Sequence, residues 1–120
     1  PASTPAELDR LIPALIQVES GGEYGAIGDG GKAVGVLQIW PIMVQDVNRI
    51  AGTRYTLADR LSPSKSVEMA RIYFRHYGKN WTVEQAARCW CGGPQGYKKV
   101  ETKPYWLKVK KELNRLYGNH

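Results

Sequence analysis

Leu8, Ile12, Leu15 and Ile16 recur every three or four residues and lay an apolar stripe along one side of a helix. Thr4 as N-cap, Pro5 in the first turn and Glu7 completing a capping box mark its start. Gly21 and Gly22 mark its end. Pro13 removes a backbone donor from the interior, which predicts a kink at residues 9–12 or two short helices meeting there, with residues 13–20 helical in either case. Seven glycines between Gly21 and Gly35 favour tight turns over helix. Residues 24–27 and 33–39 are predicted to pair as short strands around Gly28-Asp29-Gly30-Gly31, with Asp29 at or beside the hairpin turn.

The remainder reads as helix. Pro41 opens one through about residue 50, with Val44, Val47 and Ile50 inward. Pro63 or Ser64 opens the next, which carries Val67, Met69, Ile72 and Tyr73 and stops at Gly78. Thr82 and Gln85 form a second capping box ahead of Ala86, Ala87, Cys89 and Trp90, and Gly92-Gly93-Pro94 breaks that helix. Pro104 begins the last one, with Tyr105, Trp106, Val109, Leu113 and Leu116 inward and Gly118 as its stop. The expected fold is mainly α: about five to six helices with one small β-hairpin after the first helix. We find no repeat and no linker, so residues 1–120 are read as a single domain.

Glu19 stands out against this pattern. It falls on the apolar stripe, three residues after Ile16 and four after Leu15, in the last turn of its helix. Burial strips water from a carboxylate, and a helix C-terminus carries partial negative charge. Both disfavour ionisation, so the Glu19 carboxyl should hold its proton to unusually high pH, as a general acid working near neutrality must. Asp29 lies among glycines and backbone amides, where an ionised carboxylate is readily solvated. A helix end that feeds a hairpin brings Glu19 and Asp29 towards one cleft. Two carboxylates in contrasting surroundings suit glycosidic bond cleavage, one protonating the departing oxygen and the other serving the sugar or a water.

Composition narrows the partners. The chain is 42% hydrophobic, enough for a packed core. No apolar run approaches the roughly 20 residues of a membrane span, so no integral membrane contact is expected. A net charge of +6 points to polyanions, among them bacterial cell wall, anionic membrane and nucleic acid. Nucleic acid ranks last because no base-reading motif is present. Lys98, Lys99, Lys103, Lys108, Lys110 and Lys111 concentrate late and are read chiefly as a solvated face. Cys89 and Cys91 are too close in sequence for a sound disulfide, and Cys91 is expected as a buried, inert thiol. His76 and His120 stand alone, so neither a metal nor a cofactor is expected. No histidine is placed by sequence to activate Ser20, which argues against a serine hydrolase. No secretory signal is visible.

The runs Val18-Glu19-Ser20-Gly21-Gly22, Gly35-Val36-Leu37-Gln38-Ile39 and Gly92-Gly93-Pro94 resemble the lysozyme superfamily, including goose-type lysozymes and soluble lytic transglycosylases. The chain is most similar to the invertebrate-type (destabilase) lysozymes. The pieces are Glu19-Ser20-Gly21, the Asp29-Gly30 hairpin leading to Ile39, the segment from Ala87 to Pro94, and Tyr105-Trp106, in order over about residues 12–110. The resemblance implies an α+β lysozyme-like fold, Glu19 as general acid and Asp29 as second carboxylate. It also implies that Gln38 and Ile39 line the cleft floor and that Gly92, Gly93 and Pro94 border the sugar sites. Ser20, Tyr24, Trp90 and Tyr97 are expected as further substrate contacts, while Trp106 is expected in the core. Two departures stand out. The disulfides of the invertebrate type are absent, and Trp90-Cys91 replaces the usual aromatic-Asn pair before Gly-Gly-Pro.

The expected activity is therefore hydrolysis of the β-1,4 bond between N-acetylmuramic acid and N-acetylglucosamine in peptidoglycan. The expected protein is a monomer, secreted or periplasmic. A lytic transglycosylase would share Glu19 but need no second carboxylate, the sugar's own 6-hydroxyl attacking to leave an anhydro end. A non-catalytic module binding wall polysaccharide would release no ends at all.

Overall fold

Thr4 and Glu7 start the first helix, α1 (Pro5–Ser20), by exchanging hydrogen bonds of 3.0 and 3.1 Å between backbone and side chain. The fold is that of a computed structural model, which describes residues 1–118; His120 lies outside the described residues. α1 runs unbroken through Pro13, where a kink or a second helix was expected. Pro13 is exposed, and Leu11, Ile12, Ala14 and Leu15 on either side of it are almost wholly buried. Packing on both flanks holds one helix despite the missing hydrogen bond.

The hairpin is shorter than its sequence pattern. β1 (Ile27–Gly28) pairs antiparallel with β2 (Ala33–Val34), with Ile27 opposite Val34 and Gly28 opposite Ala33. One 3-10 turn, Asp29–Gly31, joins them. The predicted long second strand ends because Gly35 and Gln38 both take positive φ, +86° and +51°, and fold the chain back until Val34 pairs with Ile39. The Gly35 N–H donates to the Ala26 carbonyl at 2.8 Å. Arg60, buried on a 3-10 turn (Leu57–Leu61), donates to the carbonyls of Leu57, Lys32 and Ile39, each at 2.9 Å. These bonds clamp the hairpin to the segment before the next helix, which sequence periodicity did not reveal.

Four further helices follow: α2 (Pro41–Ala51), α3 (Pro63–Tyr77), α4 (Val83–Gly92) and α5 (Lys103–Tyr117). Among the described residues the architecture is thus five α-helices and one two-stranded hairpin after the first helix, the mainly α fold expected. The second capping box forms between Thr82 and Gln85, with bonds of 2.9 and 3.1 Å. α1 is central and packs on α3, α4 and α5, while α2 packs on α3. Leu11, Leu15, Leu37, Met69, Phe74 and Val109 fill the space between them. Trp106 is partly buried against this core, and the six late lysines are all exposed. None of the described helices is long and apolar enough to cross a membrane. The consequence for function is that the end of α1, the hairpin turn, the end of α4 and the start of α5 meet around one opening.

Candidate active site

That opening is a cleft of about 710 Å³. Glu19 lines it from the end of α1, Asp29, Gln38 and Trp40 from the hairpin and the chain beyond it, Trp90 to Pro94 in part from the end of α4, and Tyr105 from α5. The far wall is α2, where Ile42, Gln45, Asp46 and Arg49 share one face at helical spacing.

Glu19 is half-buried, and its carboxyl is pushed up to about 7. Burial is the main cause; the negative charge of Asp29 adds to it, and a hydrogen bond from the Tyr105 hydroxyl opposes it. That hydroxyl donates to Glu19 Oε2 at 2.9 Å across 86 positions of sequence. Burial and the Glu19 charge hold the Tyr105 phenol well above its usual range, so it remains a donor. The arrangement leaves a carboxyl that is partly protonated at neutrality and held in one orientation. Because the Tyr105 bond favours the ionised form, Tyr105→Phe should raise the Glu19 pKa further. The alkaline limb of a pH–rate profile should then move to higher pH while the maximal rate falls by roughly tenfold, as one hydrogen bond to a charged group would predict. A limb that stays in place would mean that this contact does not tune Glu19.

Asp29 is exposed in the hairpin turn with φ +51°, and its Oδ2 accepts from Trp40 Nε1 at 3.2 Å. Gln38 reaches the cleft, but its amide N–H groups donate to the carbonyls of Ala26 (3.1 Å) and Gly35 (3.0 Å), so that side chain braces the hairpin. Trp90 lines the cleft with one edge while its indole N–H donates to the Leu37 carbonyl at 3.3 Å. Gly93 and Pro94 line it as well.

The other expected contacts lie elsewhere. Ile39 is 1% exposed and belongs to the core behind the cleft. Ser20 turns from the opening; its hydroxyl lies 2.8 Å from the Val36 carbonyl and 3.2 Å from that of Ile16, and it accepts from the Gly22 N–H. Ser20 thereby ties the end of α1 to the segment after Gly35. Gly92 backs onto Thr102, where an added Cβ would sit 2.8 Å from a methyl group, and it accepts from the Lys99 ammonium. Tyr24 is exposed in the turn ahead of β1, not on the hairpin as expected, and lies outside the lining residues, while the half-buried Tyr97 ring lies under the Lys98 ammonium.

Cys91 corrects an expectation. It is exposed on the cleft wall, not buried, whereas Cys89 two residues earlier is in the core. Two residues are about 200° around a helix, so the pair cannot share a face. Partial desolvation at the cleft wall and the nearby Glu19 and Asp29 charges raise the Cys91 thiol above its usual range. Tyr105 is the main functional residue that sequence reasoning left without a role. Its signal was present in the Tyr-Trp pair in the first turn of the last helix. Among the described residues no cluster of three or more His, Cys, Asp or Glu side chains forms a metal site.

A half-buried carboxyl with a raised pKa and a second carboxylate lining one cleft in a small helical fold define a lysozyme-like domain. The family model described as "Transglycosylase SLT domain" matches residues 2–113, and the chain belongs to that family. It is thereby a member of the lysozyme-like superfamily, and the family indicates a lysozyme-like activity directed at peptidoglycan. No curated protein and no solved structure gave a match to the chain.

Proposed function

We propose that this chain cleaves the β-1,4 bond after N-acetylmuramic acid in peptidoglycan by hydrolysis, outside the cytoplasm. Glu19 protonates the departing glycosidic oxygen. Asp29 stabilises the positively charged sugar or captures it, and Glu19, now ionised, draws the proton from the incoming water. The observation that carries this reading is the Glu19 carboxyl, pushed up to about 7 in a cleft that Asp29 also lines. The charge of +6 favours adsorption to anionic wall, an attraction that salt weakens.

One specific observation favours a second reading. The family description is that of a transglycosylase, and a single carboxyl with a pKa near neutrality serves both as acid and as base for the sugar's own 6-hydroxyl. Mass spectrometry of muropeptides released from purified wall separates the two. Hydrolysis leaves reducing ends, transglycosylation leaves anhydro ends, and a binding module leaves the wall intact. Under the hydrolytic reading, Asp29→Asn lowers release of reducing ends by roughly a hundredfold, the scale of losing a group that works on the reacting atoms. An Asp29→Asn variant with nearly full activity and anhydro products would overturn it in favour of transglycosylation.

A further inference from the structure

We propose that Trp40 is the positioning residue for Asp29. The inference rests on the hydrolytic reading, in which Asp29 serves the sugar. Asp29 sits at the first position of an exposed turn, with backbone in the left-handed region. Left to solvent, a carboxylate on such a turn samples several rotamers. Among the described residues, the side-chain hydrogen bond to this carboxylate comes from the Trp40 indole N–H at 3.2 Å.

Trp40 is mounted to hold it. Its carbonyl accepts from the N–H groups of Met43 and Val44, the first hydrogen bonds of α2, and the next residue is Pro41 with its restricted φ. The Lys32 ammonium stands over the ring, 5.2 Å from its centroid, which fixes the indole plane from the opposite side of the turn. The indole is 39% exposed and lines the same cleft as Glu19. An indole N–H donates only and does not titrate, so it holds the Asp29 carboxylate without competing for the proton that Glu19 must deliver. Trp40 acts through Asp29 in this account, not as a platform for the sugar ring.

The test compares Trp40→Phe, Trp40→His and Asp29→Asn, alone and with Trp40→Phe combined with Asp29→Asn, on purified peptidoglycan. Trp40→Phe keeps an aromatic ring and loses the donor. It is expected to lower kcat for reducing ends by roughly tenfold, the scale of one hydrogen bond to a charged group, while KM stays within about twofold. Trp40→His, which returns a ring N–H, should recover part of the rate. In the Asp29→Asn background, Trp40→Phe should add nothing. An equal loss in that background, or a loss confined to KM, would mark Trp40 as a sugar platform and overturn the proposal. If Asp29→Asn alone leaves hydrolysis intact, the hydrolytic reading itself fails, a result distinct from Trp40→Phe being silent while Asp29→Asn is inactive. NMR supplies a check that needs no Trp40 variant: the Trp40 indole proton should shift between wild type and Asp29→Asn, and an unmoved signal would equally overturn the proposal.

Discussion

Glu19→Gln is expected to reduce cleavage of peptidoglycan by roughly a thousandfold, because an amide fills the same space and cannot donate a carboxyl proton. Glu19 sits in the cleft with its carboxyl pushed up to about 7, so wild type should be active with the group protonated and should lose activity as pH rises through that value. The same shift acts on stability with a definite sign. In the unfolded chain this carboxyl titrates near 4.5, so between about pH 4.5 and 7 the native state holds a proton that the unfolded state has released. Stability from this group is therefore complete below about 4.5 and is lost as pH rises to about 7. Above that, wild type carries an ionised, poorly solvated carboxylate that glutamine lacks. Glu19→Gln should then be more stable than wild type by about 2–3 kcal/mol at pH 8, with little difference at pH 4. Urea unfolding at the two pH values, beside muropeptide release, checks both halves. An inactive variant with unchanged stability at pH 8 would show that burial does not govern this carboxyl, and a fully active one would remove Glu19 from the chemistry.

Gly35→Ala is expected to cost roughly 4 kcal/mol or to prevent folding, although it changes one hydrogen to a methyl. Gly35 has φ +86°, which a side chain adopts with strain, and its Cβ would lie 1.9 Å from the Arg60 carbonyl oxygen. That atom is backbone in the turn whose guanidinium clamps the hairpin, and the neighbouring Ser66 hydroxyl donates to it at 3.1 Å. Relief would require the clamp to open and would release Gln38 and the Val36 carbonyl that Ser20 holds. For a domain of ordinary stability, about 5–15 kcal/mol, such a loss is a large share of the total. Gly30→Ala is the control. It has comparable φ, +68°, but nothing within 4 Å of its Cβ, so only the conformational cost of roughly 1–2 kcal/mol applies. Equal urea midpoints for the two variants would refute the steric argument.

The contrast between these glycines shows where local pattern stops informing. Gly35 was read inside the predicted strand of residues 33–39, and only Gly30 was legible as a turn residue from sequence. That Gly35 presses against a buried arginine's backbone was not legible, because Arg60 lies 25 positions away by number and reads as an ordinary surface charge. Helices α2 to α5 and the caps at Thr4 and Thr82 were readable since hydrogen-bond chemistry and apolar spacing act within a few residues. The Pro13 kink failed for the complementary reason. The cost of a lost hydrogen bond is local and visible, while the burial on both flanks that outweighs it is not.

The sequence by itself determined the mainly helical order of elements, the hairpin after the first helix, and the unusual position of Glu19 on an apolar stripe, each of which follows from interactions spanning a turn or less. Tertiary structure alone decided that Tyr105 bonds Glu19 across 86 residues, that the Trp40 indole bonds Asp29, that Cys91 faces the cleft, that Gln38 braces the hairpin from the cleft wall, and that Ser20 and Ile39 support the site from behind. Those outcomes depend on which helix faces meet, and that is set by the packing of the whole core, not by the preferences of any one segment.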